Sequence, residues 1–119
     1  MTTQEEKGFL SDLKVIELGH IVAGPTASLI LALLGADVIK IEQPGTGDMS
    51  RFSRGNQGYF LSFNTNKRSI TLDLKSKKGK EVFEKLVARS DVLIDNYGPG
   101  VLERLGFTYE QLAKKNTGL

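Results

Sequence analysis

The stretch from residue 13 to residue 42 constrains the fold more than any other part of the chain, because it has the pattern of strand, loop, helix, turn and strand. The first strand, Lys14 to Leu18, is short, rich in branched residues and closed by Gly19. The second strand, Asp37 to Glu42, follows Gly35, and glycine commonly ends a helix. Two strands joined by a helix form a parallel pair with a right-handed crossover, so the segment predicts an α/β fold.

The helix between these strands is predicted to begin at Gly24 and Pro25 and to continue from Thr26 to Leu34. Proline suits the first helical turn because its φ is already helical and its missing N–H has no partner there. The segment is apolar on nearly every side, and some of its residues are small enough to let a backbone come close: Ala27, Ser28 and Ala32. We therefore expect the helix to lie buried against a sheet.

Two further strands are indicated by alternating and branched residues, Ser69 to Asp73 and Asp91 to Asp95. Together with the first pair they give the predicted fold class, α/β, with a Rossmann-like parallel sheet of about four strands and flanking helices. Sheets of this class bind ligands at the carboxyl ends of their strands.

The remaining elements are helices and one long loop. Helices are predicted at residues 77–88 after the N-cap Ser76, at residues 101–105, and at residues 109–115 after the N-cap Thr108. Residues 43–59 are interpreted as a loop, and residues 60–66 as an extended segment that follows it.

The composition sets outer limits on the protein's class. A chain of 119 residues fits one domain, which we place at residues 13–119 behind a flexible arm of residues 1–12. A net charge of +2 does not argue for nucleic acid, and no apolar run is long enough for a membrane span. The absence of cysteine excludes a disulfide frame and a zinc–thiolate site, and the polar amino terminus is unlike a signal peptide. We expect a cytoplasmic protein without a metal site.

The loop between the first strand and the helix is a candidate ligand site. Gly19 and Gly24 are spaced like the glycines of a phosphate-binding P-loop, but Pro25 occupies the position of the essential lysine, which argues against a nucleoside triphosphatase. The dinucleotide fingerprint is also absent, although Glu42 at the end of the second strand could hold a ribose. The alternative is that these glycines only close a strand and cap a helix. His20, the single histidine, has no catalytic partner identifiable from the sequence.

Polar and cationic residues also follow the third and fourth strands. Lys75 comes after the third strand, where it could pair with a phosphate, and residues 96–100 end the fourth strand with backbone N–H groups and a flat ring. The alternatives are a solvated helix start around Lys75 and an ordinary turn at residues 96–100.

Several stretches resemble the amino-terminal part of the family III coenzyme A transferases, the group that includes formyl-CoA transferase and the α-methylacyl-CoA racemases. The resemblance runs from about Leu13 to Asn116. Its most specific pieces are His20-x-x-Ala23-Gly24-Pro25, residues 34–42, residues 66–69, residues 72–75 and residues 96–106.

The resemblance implies a binding site for coenzyme A or acyl-CoA. The residues that it implies are Val22, Ala23, Gln43, Leu72, Lys75, Asn96, Tyr97, Gly98 and Arg104. By resemblance, Val22 and Ala23 lie beside the adenine and ribose, while Leu72 and Lys75 contact the nucleotide and its phosphates. Gln43 stands where the formyl-CoA transferase branch has an arginine, and this departure should weaken phosphate or adenine contacts.

The resemblance also implies what the chain lacks. In the family, the aspartate that attacks the acyl-CoA thioester lies downstream of the matched stretch, as does the second domain through which two subunits interlock. We therefore expect no catalytic residue in this chain, which would be a truncated product or a free-standing remnant. If completed, it would use acyl-CoA and a carboxylic acid, and we expect it to form a homo-oligomer. The alternatives are a non-catalytic interaction or oligomerisation module and a generic nucleotide-binding domain.

Overall fold

The computed structural model describes residues 7–52 and 57–119 and contains a four-stranded sheet in which every strand pair is parallel. The strands are β1 (Lys14–Glu17), β2 (Asp37–Glu42), β3 (Arg68–Thr71) and β4 (Val92–Ile94). Their order across the sheet is β3-β2-β1-β4, so the first βαβ unit occupies the centre. The predicted α/β fold with a parallel sheet is confirmed.

Five α-helices connect and flank these strands within the described residues. They are α1 (Ala23–Leu33), α2 (Gln57–Asn64), α3 (Lys77–Val87), α4 (Val101–Leu105) and α5 (Tyr109–Lys115). The bounds of α4 and α5 are those predicted from the sequence. Caps fix two of the helix starts: the Ser76 hydroxyl accepts the Gly79 N–H, and Thr108 forms a reciprocal capping box with Gln111. None of the helices in the described part of the chain is long and apolar enough to cross a bilayer.

One face of the sheet packs on an apolar core beneath α3 and α5. The strands contribute Ile16 and Ile41, and α3 contributes Phe83, whose ring centroid lies 4.6 Å from that of Phe107 in an edge-to-face arrangement. Leu112 from α5 is buried in the same cluster. This core holds α3 and α5 against that face of the sheet.

The other face of the sheet meets α1 through small residues. Ser28 and Ala32 of α1 are buried, and Ala32 packs with Val15 and Val38 of the strands. The expected burial of α1 against the sheet is confirmed for this face only, since Leu33 is 63% exposed and Ile30 and Leu34 are also exposed. A close helix-to-sheet approach needs small side chains at the contact, so the large ones are left on the outer side.

The segment between β2 and β3 is more helical than predicted. Met49–Phe52 forms a 3-10 helix and Gln57–Asn64 forms α2, so the prediction of a loop followed by an extended segment is wrong. Tertiary contact explains the difference, because α2 packs against α1 and the Arg51 guanidinium lies 3.7 Å from the centroid of the Phe60 ring. Sequence propensity alone did not predict a helix at this position.

The predicted amino-terminal arm lies partly outside the described residues, which begin at Lys7. Within the described part, the Leu10 N–H donates to the Leu34 carbonyl oxygen at 2.9 Å, and Leu10 packs against the cluster under α1. Phe9 beside it is exposed to solvent.

Candidate functional site

A cavity of about 220 Å³ lies at the carboxyl end of the sheet. It is bounded by the loop after β1, the ends of β2 and β3, the segment that follows β4, and the start of α4. Its lining residues are His20, Ile41, Glu42, Gln43, Leu72, Asp73, Leu74, Lys75, Tyr97, Val101 and Leu105. Parallel strands bring their carboxyl ends to one edge, which is why residues so far apart in the sequence meet here.

The structure brings some of the predicted ligand residues together around this cavity and leaves others outside its lining. Those that line it are Gln43, Leu72, Lys75 and Tyr97. The remaining ones, which do not line it, are Val22, Ala23, Asn96, Gly98 and Arg104. The Arg104 guanidinium folds back over Gly100, where its Nη1 lies 3.1 Å from the position that a Cβ would take. Contact of these residues with coenzyme A stays a prediction.

Two rings form one wall of the cavity. The centroids of His20 and Tyr97 lie 5.5 Å apart with the ring planes tilted by 35°. His20 Nδ1 is buried and has no hydrogen-bond partner among the described residues. Burial raises the pKa of the Tyr97 phenol above its ordinary value, and the negative charge of Asp95 adds to that effect. Tyr97 therefore stays protonated and can donate a hydrogen bond.

Asn96 holds the backbone of His20 from the neighbouring strand end. Its Oδ1 accepts the His20 N–H at 2.9 Å, and its Nδ2 donates to the His20 carbonyl oxygen at 2.9 Å. Both ends of the amide are thus used within the protein. Asn96 shapes the cavity wall by fixing His20, in addition to any contact that it makes with a ligand.

A buried set of four charged residues, which we call the ionic cluster, lies behind the loop on the α1 side of the sheet. It consists of Glu17, Lys40, Asp48 and Lys67, whose side chains are at most 2% exposed. Lys40 Nζ lies 2.6 Å from Glu17 Oε1 and 2.8 Å from Asp48 Oδ2, and Lys67 Nζ lies 2.8 Å from Glu17 Oε2. The two cations and two anions balance, as buried charges require.

The ionic cluster also bonds to the backbone of the loop and to the start of α1. Lys40 Nζ donates to the Gly19 carbonyl oxygen, and Lys67 Nζ donates to the Pro25 carbonyl oxygen, each at 2.8 Å. The Ser28 hydroxyl donates to Glu17 Oε2 at 2.6 Å. The cluster therefore joins β1, α1 and β2 to the segment before β3.

Charge pairing decides the protonation states in and beside the ionic cluster. Burial alone would raise the pKa of Asp48, but the hydrogen bonds from Lys40, Ser50 and the Ile21 N–H outweigh it and hold that pKa well below its usual range. Burial lowers the pKa of Lys67, and Glu17 opposes the change.

Glu42, beside the ionic cluster, is fully occupied by protein donors. Its Oε2 accepts the Asp48 N–H and Arg51 Nε, while Oε1 accepts Arg51 Nη2 and the Ser69 hydroxyl. Burial would raise its pKa, but the hydrogen bonds from Arg51, Ser69 and Asp48 outweigh burial and lower it to about 2. The hypothesis that Glu42 holds a ribose is contradicted by these bonds.

The sequence reasoning missed the ionic cluster, although a signal for it exists. Glu17 and Lys40 are charged residues of opposite sign inside apolar strands, and the two are register partners in the parallel pair of β1 and β2. Charges at such positions are uncommon unless they are paired. Among the described residues no group of three or more His, Cys, Asp or Glu side chains is placed to hold a metal ion.

Comparison with known proteins identifies the family to which this chain is similar. The family model described as CoA-transferase family III matches residues 10–119. A formyl-CoA:oxalate CoA-transferase of Rhodopseudomonas palustris is 47% identical over 112 residues, which is 90% of this chain and 26% of that protein. The enzyme of the same name from Bradyrhizobium diazoefficiens is 46% identical, with the same coverage of both chains. The chain thus spans about a quarter of the length of the curated relatives it matches.

Solved structures agree with this result. A CAIB/BAIF family protein from Brucella suis is 41% identical and superposes with a TM-score of 0.86, covering 93% of this chain and 32% of that one. A hypothetical protein from Mycobacterium tuberculosis is 36% identical with a TM-score of 0.88, covering 94% of this chain and 32% of the other.

Proposed function

The chain belongs to CoA-transferase family III, and on that premise we propose that it forms the coenzyme A-binding part of an enzyme that moves CoA between an acyl-CoA thioester and a carboxylic acid. The observation that carries the proposal is the meeting of Gln43, Leu72, Lys75 and Tyr97 in one cavity at the carboxyl ends of the strands. Those residues come from three separate strand ends. We also propose a cytoplasmic location, with which a chain without cysteine is consistent.

The cavity's chemistry suits the nucleotide end of coenzyme A. Leu72 and the rings of His20 and Tyr97 offer apolar and flat surface to a base, and exposed Lys75 offers a cation to a phosphate. A volume of about 220 Å³ is small for a ligand of this size, since drug-sized ligands occupy pockets of roughly 300–1,000 Å³. The cavity would hold only part of the molecule, with Val22, Ala23, Asn96, Gly98 and Arg104 as proposed contacts around it.

Titration calorimetry at low salt tests binding with coenzyme A and its 3′-dephospho form. We expect weak binding that Lys75→Ala reduces by about tenfold or more, because a charge-assisted contact contributes roughly 1–3 kcal/mol. Lys78→Ala is the matched control, since Lys78 carries the same charge on α3 and does not line the cavity. No heat with either form would contradict the proposal, and equal binding of NAD would favour a generic nucleotide-binding domain.

We propose further that this polypeptide alone does not transfer acyl groups. Nucleophilic catalysis needs a carboxylate held against the thioester in a site that excludes water. Asp48 is committed to Ile21, Ser50 and Lys40, which leaves it no role as a nucleophile. The test is incubation with acyl-CoA thioesters and carboxylic acids, followed by hydroxylamine trapping. Turnover that co-purifies with the protein and disappears on Asp95→Asn would refute this.

A second candidate function, oligomerisation, is favoured by the outer side of α1. Ile30, Leu33 and Leu34 are exposed there, and exposed apolar patches are often interfaces. We propose that the protein self-associates through this side as a homo-oligomer. Sedimentation of the wild type and of Leu33→Glu tests this, with a concentration-independent wild-type monomer as the contrary result.

A further inference from the structure

Ile21 has a backbone conformation that its side chain disfavours. Its φ is +65°, in the left-handed region that β-branched residues rarely adopt. The residue lies in the loop between β1 and α1, directly after His20 of the cavity wall and before Val22, which caps α1. A conformation of this kind persists only where the surroundings hold it, and such residues cluster at functional sites.

Asp48 supplies that hold from the segment after β2. Its Oδ1 accepts the Ile21 N–H at 3.1 Å, and the same oxygen accepts the N–H and the hydroxyl of Ser50. Its Oδ2 pairs with Lys40, so the carboxylate cannot turn away from the loop without abandoning a buried cation. Asp48 is fully buried, and solvent does not compete for these bonds.

Three consecutive loop residues are held by three different side chains. Lys40 bonds to the Gly19 carbonyl, Asn96 bonds to both backbone groups of His20, and Asp48 bonds to the Ile21 N–H. Neither Gly19 nor His20 has a positive φ, whereas Ile21 does. The hydrogen bond to Asp48 is therefore the one of the three that stabilises a strained backbone conformation.

We propose that Asp48 is a positioning residue for coenzyme A, which keeps Ile21 left-handed and thereby fixes the His20 wall of the cavity and the start of α1 in the form that binds the ligand. The inference rests on the proposed function. When only a fraction of molecules has the competent loop, the apparent dissociation constant rises by the inverse of that fraction.

The first measurement needs no ligand. In the labelled 119-residue chain, NMR amide exchange and the HN–Hα coupling of Ile21 report its hydrogen bond and its φ. We expect Asp48→Ala to speed exchange of the Ile21 amide by about tenfold or more. We also expect the coupling constant to change to a value typical of a negative φ. Ser50→Ala is the matched control, because it removes another bond to Asp48 Oδ1 and leaves the Ile21 bond in place. An unchanged Ile21 in folded Asp48→Ala overturns the proposal.

The second measurement is coenzyme A titration of the same variants. We expect Asp48→Ala to raise the dissociation constant about tenfold. Ile21→Gly introduces a residue that adopts a positive φ without strain and without help from Asp48. Adding Ile21→Gly to Asp48→Ala should therefore recover affinity to within about threefold of wild type, which a general loss of packing would not allow. A double variant as weak as Asp48→Ala overturns the positioning role.

Asp48→Ala could fail to fold, and Ile21→Pro then replaces it. Proline removes the N–H and fixes φ near −65° while all four charged side chains of the ionic cluster remain. It should lose affinity like Asp48→Ala, and wild-type affinity in this variant would overturn the proposal. If the wild type shows no heat with coenzyme A, both the proposed function and the proposed effect of Asp48 on ligand binding are refuted. If Asp48→Ala releases the Ile21 amide but binds coenzyme A as tightly as the wild type, only the positioning role is refuted.

Discussion

The two faces of the sheet are filled with opposite chemistry, although the same strands supply both. Toward α3 and α5, β1 with the residue that follows it and β2 contribute apolar side chains to the core: Ile16, Leu18, Ile39 and Ile41. Toward α1 the central strands β1 and β2 are apolar at their amino ends and charged at their carboxyl ends: Val15 and Val38, followed by Glu17, Lys40 and Glu42. The change follows the alternation of side chains along each strand.

The difference shows what each kind of contact can specify. Apolar burial is non-directional, so it holds the sheet together without fixing any particular backbone group. The ionic cluster forms directed bonds to the Gly19 and Pro25 carbonyls and to the Ile21 N–H. Charge is therefore concentrated where it fixes the backbone of the loop between β1 and α1, in spite of the desolvation that buried charges incur.

The strongest way to break the charged face is Lys40→Met. Among the residues that the structure describes, this change leaves Glu17 with Lys67 as its only remaining ion-pair partner and leaves Asp48 with none. We expect the free energy of unfolding to fall by about 3–5 kcal/mol, enough to unfold a marginal domain. Urea unfolding followed by circular dichroism measures it. A loss below about 1 kcal/mol would show that the buried charges do not depend on Lys40.

On the apolar face the matched change is Val87→Ala. Val87 of α3 is fully buried in the core, and its truncation removes two methyl groups and leaves a cavity. We expect a loss of about 2–3 kcal/mol in the same urea experiment. The loss should be the same at pH 7 and at pH 4, since no charged group is involved; a loss that changed with pH would show that the two faces are coupled.

Acid should weaken the charged face selectively. The pKa of Glu42 is about 2 in the folded state and about 4.5 when unfolded, so the unfolded chain binds the proton first as pH falls. The stabilisation is complete above about pH 4.5 and decreases as pH falls toward 2, by about 2 kcal/mol near pH 2.5. Asp48, whose pKa is also depressed, adds to the same trend.

Stability curves of wild type and Glu42→Gln across this range sharpen the point. The variant should have a shallower slope below pH 4.5, because its neutral side chain takes up no proton. Parallel curves for the two proteins would mean that the Glu42 carboxylate does not carry the effect.

The smallest effect is expected outside both faces, at the exposed pair of Lys115 and Glu84. Their Nζ and Oε2 atoms lie 2.9 Å apart, but the two side chains are 45% and 35% exposed. Lys115→Met should change the free energy of unfolding by at most about 1 kcal/mol, less at high salt. A change as large as that of Lys40→Met would mean that burial does not set the strength of ion pairs in this protein.

The sequence predicted the elements best where the signals are local. Branched, apolar runs located all four strands to within two residues, and the Thr108 cap located the start of α5. Helix α2 was missed because it is stabilised by contacts with α1 and the 3-10 helix. Those contacts cannot be predicted from the residues of α2 alone. Its glycine, serine and asparagine favour a loop by propensity.

The site was predictable only in outline. Parallel strands imply that Gln43, Lys75 and Tyr97 share an edge, and the structure brings them together. The ionic cluster depends instead on the register that sets Glu17 opposite Lys40, and on a loop that returns Asp48 to the same place. Strand register and loop path are long-range properties. An analysis of residue types along the sequence therefore identifies the separate charges but not their pairing.

The spacing of the ionic cluster along the chain also bears on how the protein is assembled. Glu17 and Lys67 are separated by 50 positions, and Lys40 lies between them. A nascent chain that has completed β1, α1 and β2 therefore carries Glu17 with only one of its two cations. The central βαβ unit can collapse early, but the loop between β1 and α1 has all of its side-chain bonds only after synthesis has passed residue 96, because Asn96 bonds to the backbone of His20. The loop that borders the candidate cavity is therefore completed late in synthesis.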